Sequence, residues 1–384
     1  MRKYYTLTVK TLAPVHIASG STINKLEYVY SKETRTVYVM DMVKLSSFLT
    51  KSGLMEQFIE SISSGDKKFS LTTFFSEKEI PESEYSRYAA YSYLNDNISA
   101  SPSQMKISGA MKDAYGCPYV PGSSLKGVLR TAIAYRSIAE GRTDTSEAAE
   151  KIAADIVKGE RLGFHERGLN TEIFHTLTRK TRYNRDTRMA EPVKKDILND
   201  CMAGLYVSDS RPLTPESLIL CEKTDLQLDG GSHTVNILRE CIRPETEITA
   251  DVVIDTDLCA FTAEDMAESL ECFYAGYDRT FRSTFISAAK VKVYEPEKGE
   301  GESYLYLGGG TGLPLKSLMY AVYKDHDEAS ELISLILENR FRAAGHKRFT
   351  MANRISPKVL KCTKYHSRLY EMGRCSLSLR EKKI

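Results

Sequence analysis

Lys126 and Arg130 stand four residues apart in the run Pro121-Gly122-Ser123-Ser124-Leu125-Lys126-Gly127-Val128-Leu129-Arg130-Thr131. On a helix that spacing aligns both cations on one face, where like charges repel by roughly 0.2 to 0.5 kcal/mol. An anion held near both removes the repulsion. Just upstream, Pro121, Gly122, Ser123 and Ser124 form a turn whose free N–H groups, at the positive end of the helix dipole, attract phosphate. Leu125, Val128, Leu129, Ala132 and Ile133 recur with helical spacing, so a helix is predicted over 123–138 with Ser123 as its N-cap and one apolar face. Gly127 inside it costs about 1 kcal/mol relative to Ala, and its bare backbone lets another segment approach closely.

Two further stretches carry similar chemistry. In Leu307-Gly308-Gly309-Gly310-Thr311-Gly312-Leu313-Pro314-Leu315-Lys316, four glycines fall between a predicted strand and a predicted helix. Backbone N–H groups there can approach phosphates, with Lys316 adding charge from the first turns of the helix. The spacing is not that of a P-loop, because no glycine precedes Lys316, so ATP hydrolysis is not expected. Pro14-Val15-His16-Ile17-Ala18-Ser19-Gly20 follows the first predicted strand and brings His16, Ser19 and Gly20 to one turn. As a general acid or base acting on a 2′-hydroxyl, His16 would make the protein a ribonuclease; as a ligand contact it would only hold RNA. A basic loop over 179–188, with Arg179, Lys180, Arg182, Arg185 and Arg188 against Asp186 and with Tyr183 interleaved, has the composition of a nucleic-acid contact. The plain alternatives are a solvated surface, a structural tight turn and a structural histidine.

At 384 residues, 42% hydrophobic and 27% charged, the chain suits two soluble domains. No apolar run approaches the roughly 20 residues of a membrane span. Met1-Arg2-Lys3 leads directly into alternating residues 4–10, so no signal peptide and a cytoplasmic location are expected. The eight cysteines form no Cys-x-x-Cys pair and lie beside no metal-spaced histidine, which predicts reduced thiols, no metal and no cofactor. The net charge of +2 hides strong segregation: residues 340–384 hold thirteen Lys/Arg against Glu371 and Glu381, and residues 240–302 hold six against fifteen Asp/Glu. A basic surface on a nearly neutral protein fits phosphate binding, and an acidic one fits basic protein partners.

Alternation predicts strands near 4–10, 26–30 and 36–41, the latter two joined as a hairpin at 31–34. A helix follows from 43. Residues 65–111 read as an irregular polar insertion whose Tyr85, Tyr88, Tyr91 and Tyr93 form a packing stripe. Helices are predicted near 146–157, 315–323 and 328–341, and at 263–277 behind a cap at Thr262; strands near 204–210, 217–222, 247–254 and 304–307. Two successive mixtures of this kind predict an α+β protein with two ferredoxin-like units, 1–203 and 204–384, the second ending in a basic tail.

These motifs together resemble the RAMP proteins of CRISPR systems: Leu12-x-Pro14-x-His16-Ile17, Val120-Pro121-Gly122-Ser123-Ser124-Leu125-Lys126-Gly127 with Arg130-Thr131, and Leu307-Gly308-Gly309-Gly310-Thr311-Gly312 with Lys316. With Tyr206-Val207-Ser208-Asp209-Ser210, Pro357-Lys358-Val359-Leu360 and Tyr370-Glu371-Met372-Gly373-Arg374-Cys375, their order looks most like the fifth Csm subunit family of type III-A effector complexes. The resemblance implies two RRM-related domains and a non-catalytic subunit that caps the 3′ end of the guide RNA (crRNA). It implies as partners the backbone filament subunits of the complex, with no membrane; in a separate, mostly structural reading the acidic 240–302 region recruits housekeeping nucleases or neighbouring subunits and RNA contact is incidental. The resemblance carries the RNA-binding role onto the turns at His16, Ser19 and Gly20, at Gly122, Ser123, Ser124, Lys126 and Arg130, and at Gly308, Gly309, Gly310, Thr311, Gly312 and Lys316. Ala18 stands where that family often has glycine. No RRM-type aromatic signature is present, so backbone contacts rather than base readout are expected. The alternative within the same superfamily is a metal-independent endoribonuclease that processes precursor crRNA.

Overall fold

The computed structural model describes residues 1–95, 98, 102–158, 163–323, 325–340 and 355–383. The chain is a mixed α/β protein built on two large sheets. In Arg2–Thr11 the residues Tyr5, Leu7 and Val9 alternate inward, so this strand has one buried face. It is central in a five-stranded antiparallel sheet, with Glu247–Asp255 and Leu205–Val207 on one side and Arg374–Glu381 and Ser303–Tyr306 on the other. Leu7 faces Ala250 across one ladder and Leu379 across the other.

Two helices share this sheet's core. Gly122–Ala139 buries Leu125, Leu129, Ala132 and Ile133 as the spacing requires. Ala263–Tyr277 starts at a capping box between Thr262 and Asp265 and buries Met266, Leu270, Phe273 and Tyr277. The helices meet where Tyr135 packs edge-on to Phe273 at 5.1 Å, and a side chain at Gly276 would strike Tyr135 Oη at 2.0 Å. Along the chain the elements run strand, helix, strand, strand, helix, strand; in space the four strands lie fourth, first, third, second.

The second sheet has six strands in the order Arg368–Glu371, Val359–Tyr365, Leu218–Gln227, Ser232–Ile242, Lys106–Ala110, Ala18–Ile23. Only Lys106–Ala110 against Ser232–Ile242 is parallel. Each large sheet thus takes strands from both sides of residue 203. The expected basic tail is in fact three strands, Val359–Tyr365, Arg368–Glu371 and Arg374–Glu381, because each alternates apolar and polar residues against a neighbour already in place. The part of that basic stretch over 341–354 lies outside the described residues.

The 65–111 stretch is more ordered than its composition predicts. Ser70 and Thr73 form a capping box that starts the helix Leu71–Glu77, whose Leu71, Phe74 and Phe75 join Val29, Met40, Leu45, Leu49 and Phe58 in a satellite core. Ala89–Leu94 then pairs with the predicted hairpin, Tyr28–Ser31 and Thr36–Met40. Among the described residues, no helix is long and apolar enough to cross a membrane.

Candidate nucleic-acid interface

The glycine at 122 is demanded by crowding. A Cβ there would lie 2.3 Å from the Val207 carbonyl oxygen and 2.5 Å from that of Ser208. The Gly122 N–H donates to Asp209 Oδ1 at 2.8 Å, so a carboxylate from the neighbouring strand end already occupies the helix N-terminus. Pro121 is the N-cap, not Ser123: the helix begins one residue earlier than its sequence suggests, which leaves Ser123 exposed and Ser124 half-buried in the first turn. Lys126 Nζ donates to the carbonyls of Met202 (2.8 Å) and Leu205 (2.7 Å). Arg130 pairs with Asp200 at 2.8 Å and lies 4.0 Å over the Phe174 ring. Burial lowers the Lys126 pKa, against the opposing pull of Asp200. Both cations therefore fasten the helix to the turn at 200–205. Gly127, expected to admit a neighbouring backbone, faces open space.

The His16 turn and the glycine loop meet. Gly309 N–H donates to the His16 carbonyl at 2.8 Å, and a Cβ at Gly308, whose φ is +85°, would stand 2.2 Å from that oxygen. Gly310 packs on Met372, Thr311 Oγ1 returns to the Gly308 carbonyl at 2.8 Å, and Gly312 is half-buried before a short turn at Leu313–Leu315. Lys316 follows that turn instead of sitting inside a helix; its side chain is exposed, and desolvation together with the charge of Arg239 lowers its pKa. His16 itself is 2% exposed. Its Nδ1–H donates to the Glu240 carbonyl at 2.7 Å, which leaves Nε2 to accept from Ser108 Oγ at 3.3 Å, and burial lowers its pKa, so the ring is neutral. Ser19 Oγ bonds the Gly109 carbonyl at 3.1 Å, and Gly20, at φ +86°, forms an exposed bulge.

The basic loop is a two-stranded hairpin, Thr181–Asn184 against Met189–Pro192. Glu191 ties it by accepting from Asn184 Nδ2 (2.9 Å) and Thr187 Oγ1 (2.7 Å). Arg179, Arg182, Arg185 and Arg188 are all exposed and have no side-chain partner among the described residues; Tyr183 is 63% exposed. The Lys126 helix, the His16–glycine junction and the hairpin are thus three separate features, of which only the hairpin offers several free cations.

Sequence reading missed Arg239, in the Ser232–Ile242 strand. Its guanidinium reaches Met372 Sδ at 3.7 Å, and its backbone pairs with Ser108, so it stands beside both the glycine loop and His16. The signal was the alternation of Arg239 and Cys241 with Leu238, Glu240 and Ile242, masked by the polar first half of the strand. Also missed was Glu240. Its buried carboxylate accepts from Ala110 N–H (2.6 Å), Tyr91 Oη (2.8 Å), Tyr93 Oη and Lys112 Nζ. Burial pushes its pKa up to about 7 and that of Lys112 down to about 8. Part of the acidic 240–302 surplus is paired within the chain, since Arg282 binds Asp278 and Glu295 as well as the buried Glu371. Among the described residues, no three His, Cys, Asp or Glu side chains gather as metal ligands.

The model of the RAMP superfamily matches residues 8–313. The chain belongs to the RAMP superfamily. Among its relatives are the CRISPR system Cms proteins Csm5 of Enterococcus italicus, 25% identical over 98% of this chain and 97% of that protein, and of Mycobacterium tuberculosis, 26% identical over 98% of each. That of Streptococcus thermophilus is 23% identical over 98% of this RAMP protein. The fold is similar to a chain in the cryo-EM structure of a Csm–crRNA–target RNA ternary complex of a type III-A CRISPR-Cas system, with TM-score 0.63, 17% identity and 99% of this chain covered. It is also similar to T.onnurineus Csm5 in its crystal structure, with TM-score 0.57, 18% identity and 96% of this chain covered.

Proposed function

We propose that this RAMP protein is the crRNA-binding Csm5-type subunit of a type III-A effector complex. It caps the 3′ end of the guide in the cytoplasm, supports assembly and guide maturation in antiviral defence, and does not cut RNA. The observation that carries this reading is similarity to Csm5 proteins along nearly the whole length of both chains. The free cations of Arg179, Arg182 and Arg185 supply the phosphate contacts, with Ser19, Gly20, Ser123, Gly309 and Lys316 as exposed points on the three turns. The order fourth, first, third, second in the five-stranded sheet, with its two helices, supports one ferredoxin-like unit. The second is read onto the six-stranded sheet from the family, so the halves 1–203 and 204–384 are units that exchange strands.

The nuclease alternative finds no support at His16. A general acid or base must reach the substrate, and this ring is buried with both nitrogens engaged. Two measurements test the reading. The chain purified with its native complex should carry short RNAs that share one repeat-derived end; random or no RNA refutes guide binding. The purified chain should leave labelled precursor crRNA intact in EDTA; cleavage that is lost in His16→Ala refutes the non-catalytic assignment.

A further inference from the structure

We propose that the face of the six-stranded sheet bearing Lys223, Arg239 and Lys316 is a second seat for RNA phosphates, an inference that rests on the RNA-binding reading above. Strand register builds it. Cys221 lies opposite Arg239, Lys223 opposite Val235, and Asp225 opposite Lys361, so alternation sets Lys223, Asp225, Arg239 and Lys361 on one face. Lys316 joins them from the end of the glycine loop, near enough to Arg239 for the two charges to interact.

The charges do not balance. Asp225 is bound by Lys361 at 2.9 Å, and among the described residues no other carboxylate pairs with this group. Asp225 also attracts Lys223 and Arg239, so one carboxylate is shared among these cations, and among the described residues the hydrogen-bond partner of the guanidinium is a thioether. Segment 341–354 contains Arg342, Lys347, Arg348 and Arg354 but no Asp or Glu, so it cannot supply the missing charge. Lys223, Arg239 and Lys316 all have lowered pKa values, through desolvation first, with the charges of Lys361 and Arg239 adding to it at Lys223 and that of Arg239 at Lys316. Cations gathered in excess over one carboxylate, two of them half-buried, are unfavourable for the free protein and favourable once an anion arrives. A planar guanidinium flanked by ammonium groups suits phosphodiester oxygens.

The surroundings leave room for a backbone. Arg239 rests on Met372, Met372 lies under Gly310, Gly309 is exposed beside His16, and Ser108 closes the ring back to Arg239. Small residues thus border the cations on the side of the glycine loop.

The test uses the full chain with a labelled single-stranded RNA oligonucleotide, and with polyglutamate in parallel. Arg239→Gln, Lys223→Gln and Lys316→Gln should each lower the slope of log K against log salt by about 0.7, or about fivefold in affinity at 0.1 M salt. The triple variant should lose about a hundredfold with its melting temperature unchanged or raised. If Arg239→Gln does not fold, Lys223→Gln, on the same strand face, carries the test alone. Unchanged RNA affinity in the triple variant, while Arg182→Ala with Arg185→Ala weakens binding, overturns the seat and leaves the RNA-binding reading intact. Loss of polyglutamate binding with RNA binding unchanged also overturns it, in favour of an acidic protein ligand. A wild-type chain that binds no RNA removes the reading on which both rest.

Discussion

Replacing Lys126 with Met separates a structural cation from a phosphate ligand. The ammonium donates to two carbonyls, Met202 and Leu205, at 2.8 and 2.7 Å. Hydrogen bonds from charged donors contribute roughly 1.5 to 3 kcal/mol each, so the gross loss is at least about 3 kcal/mol. Met keeps the alkyl stem and removes the desolvation that lowers the lysine's pKa, which returns about 1 kcal/mol. A net loss of about 2 kcal/mol, at about 2 °C per kcal/mol in a chain of this length, predicts a melting temperature about 4 °C lower by calorimetry. Arg130→Met adds less, about 1 kcal/mol, because its pair with Asp200 is partly exposed. The folded double variant should bind RNA with the wild-type salt slope. A slope lower by about 1.4 with an unchanged melting temperature would refute the reasoning and make both residues phosphate ligands.

Other perturbations probe the same framework. Gly308→Ala combines a left-handed φ with a Cβ 2.2 Å from the His16 carbonyl, so it should cost about 2 to 4 kcal/mol in urea unfolding and loosen the turn at His16. Gly127→Ala, with φ in the helical range and open space around it, should gain about 0.5 to 1 kcal/mol; impaired complex assembly with the gain intact would reveal a subunit seated on that face. Glu240 binds its proton more tightly folded, with a pKa of about 7, than unfolded, near 4.5. The stability it contributes is present below about pH 4.5 and is lost as pH rises through about 7, a swing of at most about 3 kcal/mol. Melting temperatures from pH 4.5 to 7.5 should fall more for the wild type than for Glu240→Gln, and parallel curves would exclude that role.

Local signals were legible where a single element states them. Residues 125–133 announce an amphipathic helix, Thr262 announces its partner's start, and Lys126 and Arg130 do share a helix face. Their partners were not legible: Asp200 and the carbonyls of Met202 and Leu205 stand some seventy or more positions away and arrive only through folding. The same reason hid Arg239, whose strand pairs in parallel with one more than a hundred residues earlier in the chain. The four glycines at 308–312 correctly mark a loop that needs bare backbone, yet one of the groups crowding it is the His16 carbonyl, a contact that no spacing rule reveals. Composition misjudged 65–111, because a few phenylalanines and one capping box outweigh a polar average.

The strand Arg2–Thr11 finds one flanking partner at Glu247–Asp255 and the other at Arg374–Glu381. During synthesis, then, Arg2–Thr11 leaves the ribosome long before Arg374–Glu381 and waits, one edge unpaired, until that strand has emerged. Closure of the central sheet is therefore a late event with costly long-range loops, and any prematurely ended product exposes two adhesive edges. Only a chain translated through Arg374–Glu381 can present this fold to its neighbours, so translation itself screens which copies are fit to assemble.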